Sequence, residues 1–185
     1  MAKKISSWKQ KSIYTIVAPE NFDFRELGDT IANNPENLIG RTIDVSLRDI
    51  TGDKTKQHLK IVFEINEVKD KKAYTRFKVF NVNPGYLRSR VRKGTSKIDC
   101  IHRIDIEPNL RVQVKVMAVT HQNIKTSRVR DITAKISEIL DKYKNTKLDD
   151  FIQSTLFGKL GTEIYREIKK IAPVRRVEIE QVKVL

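Results

Sequence analysis

Ile98-Asp99-Cys100-Ile101-His102-Arg103-Ile104-Asp105-Ile106-Glu107-Pro108-Asn109-Leu110-Arg111-Val112-Gln113-Val114-Lys115-Val116 holds two runs of two-residue period joined by a turn. Ile98, Cys100, His102, Ile104 and Ile106 share one parity. Beyond Glu107-Pro108-Asn109, Leu110, Val112, Val114 and Val116 alternate with Arg111, Gln113 and Lys115. Successive side chains of a strand point to opposite faces, so the stretch predicts two half-buried antiparallel strands. The same period recurs upstream. Ile43, Val45 and Leu47 alternate with polar residues up to a turn at Thr51-Gly52-Asp53-Lys54, and Leu59, Ile61, Phe63 and Ile65 answer them, which predicts a hairpin. A third strand, with Ala73, Thr75, Phe77 and Val79 opposite Tyr74, Arg76, Lys78 and Phe80, follows Asp70-Lys71-Lys72. Ile13-Tyr14-Thr15-Ile16-Val17 is a further strand, stopped by Ala18-Pro19, and residues 20 to 40 carry turn signals that predict loops and one short helix. Five or six antiparallel strands with short turns must hide their edges, so a small β-barrel is expected.

After Lys125 the period becomes helical, with Val129, Ile132, Ile136, Ile139, Leu140 and Tyr143 along one face. Thr146 and Asp149 have the spacing of a capping box for a second helix through Phe151, Ile152 and Leu156, which Gly158 closes. Leu160, Ile164, Ile168 and Ile171 predict a third helix, ended by Pro173. Val174 to Leu185 is a strand whose parity shifts between Ile179 and Val182, as at a bulge. The expected class is therefore α+β: a small antiparallel β-barrel followed by a three-helix region and a C-terminal strand. The expected division is a basic arm with the first strand over residues 1–19, a β-barrel lobe over 20–122, and a helical lobe with the last strand over 123–185.

Charge supplies the functional signal. The 37 Lys and Arg against 23 Asp and Glu leave a formal charge of +14 on 185 residues. Such an excess favours nucleic acid or an anionic membrane surface as partner. No stretch has the apolar length of a membrane span, and the basic N-terminus lacks the apolar core of a secretory signal, so a cytosolic protein is expected. The charge is clustered. Lys3, Lys4, Lys9 and Lys11 surround Trp8 in the arm; Arg88, Arg90, Arg92, Lys93 and Lys97 link two strands without an intervening acid; and Lys125, Arg128 and Arg130 open the first long helix. Guanidinium groups present planar forks of donors that suit phosphate oxygens. Pro84 to Lys93 is expected to be a short helix with proline at its start. A solvated charged turn is the plain alternative for the bridge, and a packing anchor the plain alternative for Trp8. Tyr74, Phe80 and Tyr86 could stack on bases or serve as local packing.

A catalytic constellation is not found. His58, His102 and His121 lack metal-ligand spacing, and no phosphate-binding glycine loop or nucleophile elbow is present. The single cysteine, Cys100, excludes an internal disulfide. Cys100 and His102 share a strand face with Ile98, Ile104 and Ile106, which marks them as core residues rather than a nucleophile and base. No catalytic residue, metal or cofactor is expected.

Particular short stretches carry a resemblance. Trp8 with Lys11 and Tyr14, Ala18-Pro19 with Phe22, Gly28 with Thr30, Gly40-Arg41, Val45-Ser46-Leu47 with Asp49, Arg88-Ser89 with Val91-Arg92-Lys93, and Ile124-Lys125-Thr126-Ser127 stand in order along the chain. In that order and spacing the sequence resembles the S-three-a-e family of archaeal and eukaryotic small-subunit ribosomal proteins. Two local departures are a valine in place of a glycine expected shortly after Phe77, and Pro108-Asn109 in place of an Asp-Gly turn. The resemblance implies a structural constituent of the small ribosomal subunit. Its implied place is the platform, near the messenger exit and the 3′ end of the ribosomal RNA, ribosome-bound in the cytoplasm. Implied partners are that RNA, neighbouring small-subunit proteins and messenger RNA near the exit, with no membrane and no small-molecule substrate. Implied RNA contacts are Lys11, Arg41, Arg88, Arg92, Lys93 and Lys125; charge alone adds Lys3, Lys4, Arg90, Lys97, Arg128 and Arg130. The competing reading is an RNA-processing or RNA-modifying enzyme using the same basic surface.

Overall fold

The computed structural model describes residues 11–107, 110–144 and 146–185. Lys3, Lys4, Trp8 and the Pro108-Asn109 turn lie outside the described residues. The chain divides into two compact units, the first ending at Val79 and the second beginning at Phe80.

The first unit opens with strand β1, Ser12–Val17, and β2, Glu26–Ala32, paired antiparallel. Here the sequence predicts loop. Gly28-Asp29 interrupts the apolar period of β2, and Leu27 is an extra residue between the pairs Ile16 with Gly28 and Val17 with Glu26, so no alternation survives to be read. Strand β3, Thr42–Ser46, pairs antiparallel with β4, Leu59–Lys69, as the hairpin reading expects. The strand stops earlier than its alternation suggests. Ser46 accepts a bond from the Arg48 N–H and caps helix α1, Leu47–Thr51, which buries Leu47 and Ile50 three residues apart on one face.

A two-residue turn, Asp70-Lys71, leads from β4 to β5, Lys72–Val82, with φ of 47° and 63°. Both central residues of this turn are left-handed, a conformation that costs a lysine more than a glycine. Lys71→Gly is accordingly expected to stabilise the protein by about 0.5–1 kcal/mol, read as a raised denaturant midpoint with an unchanged slope. The start of β5 lies parallel to β1, through Thr15 with Lys72 and Val17 with Tyr74. Tyr14, Ile16, Leu38, Ile65 and Ala73 form the core of this unit.

Across β4 and β5, Glu64 accepts from Arg76 Nη2 at 2.8 Å and Nε at 3.0 Å, and from Lys78 Nζ at 2.8 Å. These bonds, Lys78 foremost, hold the Glu64 carboxyl below its usual range. A depressed folded pKa stabilises above the ordinary glutamate pKa of about 4.3 and loses that contribution as pH falls through the folded value. Glu64→Gln should therefore cost about 1–2 kcal/mol at neutral pH and much less near pH 3, measured by denaturation at both.

In the second unit, helix α2, Pro84–Arg90, is followed by β6, Lys97–Ile106, β7, Leu110–Thr120, and, after three helices, β8, Val174–Val184. Strand β7 is central, antiparallel to β6 from Leu110 with Ile106 to Val119 with Lys97, and antiparallel to β8 on its other side. The bulge read from the sequence is present: Lys115 pairs with Gln181 and Val116 with Ile179, leaving Glu180 as the extra residue. Helices α3, Thr126–Asp141, α4, Leu148–Leu156, and α5, Lys159–Ile168, bury Ile132, Ile136, Ile139, Phe151, Leu160 and Ile164, with α3 against β6 and α5 against β8. The capping box does not form. Thr146 Oγ1 donates instead to the Tyr143 carbonyl at 2.8 Å, and α4 starts after Lys147 with no side-chain cap.

The expected antiparallel barrel is corrected on two points. Strand pairing leaves β2, β3 and β6 as ends, so the eight strands form an open sheet, and the β1–β5 pairing is parallel. Alternation specifies a strand's two faces but neither its partner nor closure. Strand β5 also changes which parity it buries, from Ala73, Thr75 and Phe77 to Phe80 and Val82. The switch falls where the chain leaves one unit for the other. Phe80, read as exposed, is consequently buried.

Candidate nucleic-acid interface

The basic bridge begins with a well-anchored helix. Asn83 accepts from the Gly85 N–H at 2.9 Å, Pro84 supplies the first turn, and Leu87 is buried. The helix ends at Arg90 rather than at Lys93, and Gly94, at φ 81°, turns the chain while Thr95 Oγ1 donates to the Arg92 carbonyl at 2.7 Å. That left-handed turn leaves Arg92 and Lys93 exposed beside Arg88 and Arg90.

Thr120, at the end of β7 and fully buried, ties this bridge to its neighbours. Its Oγ1 accepts from the Ser96 N–H at 2.9 Å and donates to the Gln122 carbonyl at 2.6 Å. Ser96 Oγ in turn accepts from the Ile124 N–H at 3.1 Å, one residue before Lys125, the N-cap of α3. On the other side of β7, Val119 pairs with Arg176 and Thr120 with Val174, while His121 donates its N–H to the Pro173 carbonyl at 2.9 Å. Three basic segments thus meet at one strand end: the bridge, the first turns of α3 with Lys125, Arg128 and Arg130, and the start of β8 with Arg175 and Arg176.

Ser89, Arg90, Arg92, Arg175 and Arg176 line a cleft of about 120 Å³. Arg176 Nη1 donates to Glu178 Oε1 at 3.1 Å and to the Tyr86 hydroxyl at 3.0 Å, and the Arg90 guanidinium lies 4.4 Å over the Tyr86 ring. Tyr86 is therefore a half-buried brace for the arginines and not a free stacking platform. Lys97 pairs with Asp99 at 2.8 Å. Among the described residues, no acid pairs with Arg88, Arg90, Arg92, Lys93, Arg175, Lys125, Arg128 or Arg130, all of which are exposed. Unneutralised guanidinium groups facing one small cleft repel each other, a cost that an anion removes.

The remaining residues of the sequence reading lie elsewhere. Lys11, ahead of β1, and Arg41, ahead of β3, belong to the first unit, where Arg41 Nη1 donates to the Ile31 carbonyl at 3.3 Å and to Thr30 Oγ1 at 3.4 Å. Arg175 and Arg176 escaped the sequence reading because they sit inside an apolar run. Their only signal was an arginine pair at the start of the last strand, separated from Pro173 by Val174 alone.

Cys100 is buried against α3, with Sγ 3.9 Å from Ser137 Oγ, and burial pushes its thiol pKa up. His102 is not a core residue as expected but half-buried, its Nε2 2.9 Å from Asp141 Oδ1 at the last residue of α3. That bond, with a second from Lys144, holds the Asp141 carboxyl down, and the Lys144 ammonium lies at a helix C-terminus. Each side chain thus has a partner on α3, one that a nucleophile and base would have to leave. Among the described residues no His, Cys, Asp and Glu side chains are grouped as metal ligands, and no helix is long and apolar enough to cross a membrane.

Comparison with known proteins places the chain among relatives. The family model described as the ribosomal S3Ae family matches residues 1–185. A protein of Methanobrevibacter smithii named small ribosomal subunit protein eS1 is 39% identical over 180 residues, covering 97% of this chain and 93% of the relative. Proteins of the same name from Desulfurococcus amylolyticus and Archaeoglobus fulgidus are 39% and 35% identical, covering 96% and 100% of this chain and 84% and 89% of their own lengths.

Proposed function

Because the chain belongs to the ribosomal S3Ae family, we propose that it is a structural constituent of the small ribosomal subunit that holds ribosomal RNA on the cationic surface of its second unit. The observation that carries this reading is the meeting of three basic segments at the end of β7, fixed by Thr120 and Ser96. Arg88, Arg90, Arg92, Lys93, Lys125, Arg128 and Arg130, with the newly found Arg175 and Arg176, would neutralise phosphates and follow the shape of a folded RNA rather than read one sequence. Lys97, shared with Asp99, contributes less, and Lys3, Lys4, Lys11 and Arg41 would extend the contact from the rest of the chain. The resemblance further supports a place on the platform near the messenger exit and the RNA 3′ end, beside neighbouring small-subunit proteins, ribosome-bound in the cytoplasm.

Sedimentation of a cell lysate through sucrose gradients at low and at raised salt tests the role. The chain is expected to migrate with small subunits at both salts and to leave them as salt is raised further, because each neutralised phosphate steepens the salt dependence of affinity. A chain that stays at the top of both gradients would remove the ribosomal reading.

A further inference from the structure

Beside the arginine cleft, on the other flank of α2, lies a larger one of about 520 Å³ with a different chemistry. Leu87, Val91 and Met117 give it apolar walls, while Arg88 and Lys97 also line it. Glu180 completes the lining, and it is the bulged residue of β8. A bulge re-aims a side chain that regular pairing would point elsewhere. One carboxylate oxygen, Oε1, accepts from Lys115 Nζ at 2.6 Å. The other, Oε2, is buried and has no hydrogen-bond partner among the described residues. A buried acceptor left unpaired is costly, and its cost is removed by a ligand that brings a donor.

Apolar walls, flanking cations and a single acceptor are what an unstacked nucleotide needs: a flat ring to bury, a phosphate to neutralise and an amino group to receive. We propose that this cleft takes one unpaired nucleotide of RNA, its base between Leu87, Val91 and Met117, its phosphate toward Arg88 and Lys97, and its exocyclic amino group donating to Glu180, whose unpaired Oε2 turns from its buried position to meet it. The pocket rests on the reading of the chain as an RNA-binding protein and adds base selectivity to it. Adenine, cytosine and guanine each offer an amino donor. Uracil offers only an imide N–H flanked by two carbonyls that a carboxylate repels, so it is excluded. The neighbouring arginine cleft, reached from the same helix, would hold the next phosphate of the strand.

The chain contains two methionines, Met1 and Met117, so a methyl-labelled full-length protein carries one reporter in the pocket. Titration with AMP, CMP, GMP, UMP and inorganic phosphate is read at the Met117 methyl resonance. At least one amino-bearing nucleotide is expected to shift it saturably, with UMP at least ten-fold weaker and phosphate without effect. Glu180→Gln should weaken that nucleotide at least ten-fold, and Val91→Trp, which fills the cleft from its half-buried wall and leaves Glu180 in place, should abolish the shift. No response to any nucleotide, an equal response to UMP, or the same response to phosphate alone overturns the pocket. Binding of the same protein to small-subunit ribosomal RNA is measured in parallel. Retained RNA binding without a Met117 response refutes the pocket only, whereas absent RNA binding refutes the RNA-binding reading itself.

Discussion

Reversing Arg90, Arg92 and Arg175 together to glutamate is expected to lower affinity for small-subunit ribosomal RNA roughly a thousand-fold near physiological salt and to keep the protein out of small subunits. The three guanidinium groups line one cleft, are exposed and have no acid partner among the described residues, so no carboxylate competes with a phosphate for their charge. Removing them deletes about three phosphate contacts, and the added carboxylates repel the same phosphates. The slope of log affinity against log salt should fall by about two to three, since each neutralised phosphate contributes about 0.7–0.9. Arg176 is left in place because it braces Tyr86 and Glu178. Among the described residues no ion pair is lost and only the Arg90 contact over the Tyr86 ring goes, so the thermal midpoint should move by only a few degrees. Lys183→Glu, toward the opposite end of β8, removes a charge outside the cleft and is expected to change affinity only a few-fold. An equal loss from both variants would mean that total charge, and not this cleft, holds the RNA.

How far the interface could be read from sequence follows from what kind of information each part carries. Arg88 to Lys97 and Lys125 to Arg130 are runs, and runs are visible in one dimension. Their meeting is not, because it depends on the register that sets Lys97 and Arg176 on opposite sides of Val119. Arg175 and Arg176 form no run of their own and sit in an apolar strand, so only that register shows them beside the bridge. The fold shows a similar division. Strands β6 and β7, the three long helices and the Glu180 bulge each leave a periodic trace, and the sequence reading found them. Strand β2 leaves none, because Gly28, Asp29 and an extra Leu27 erase the alternation, and α1 begins inside what reads as a continuing strand, since Leu47 fits both periods. Barrel closure failed as an inference because no local pattern reports which edges remain unpaired. The functional class came from the family resemblance and from net charge. Geometry was needed to say which cations act together.

Thr120→Val is expected to cost about 1–2 kcal/mol of stability, although the two side chains have nearly the same shape. Thr120 is fully buried, and its hydroxyl serves the Ser96 N–H and the Gln122 carbonyl at once. Both bonds are half-buried; valine leaves the two groups without that partner and supplies no replacement for the hydroxyl, so part of their desolvation cost goes uncompensated. Function should suffer through position rather than charge. With Ser96 released, its Oγ no longer fixes Ile124 and the start of α3 against the bridge, so RNA affinity should fall about ten-fold with an almost unchanged salt slope. Thr120→Ser retains the hydroxyl and should restore most of the affinity, losing only the packing of one methyl group. Urea denaturation and RNA binding of the three proteins separate the effects. A stable Thr120→Val protein with full affinity would show that the basic segments hold their places without this tie.

Ultraviolet cross-linking of intact small subunits, followed by identification of the RNA-linked peptides of this chain, tests most directly that the second unit carries the RNA contact. Links are expected within residues 84–97, 125–130 and 174–177, around the end of β7. Links confined to the first unit, before Phe80, would contradict it.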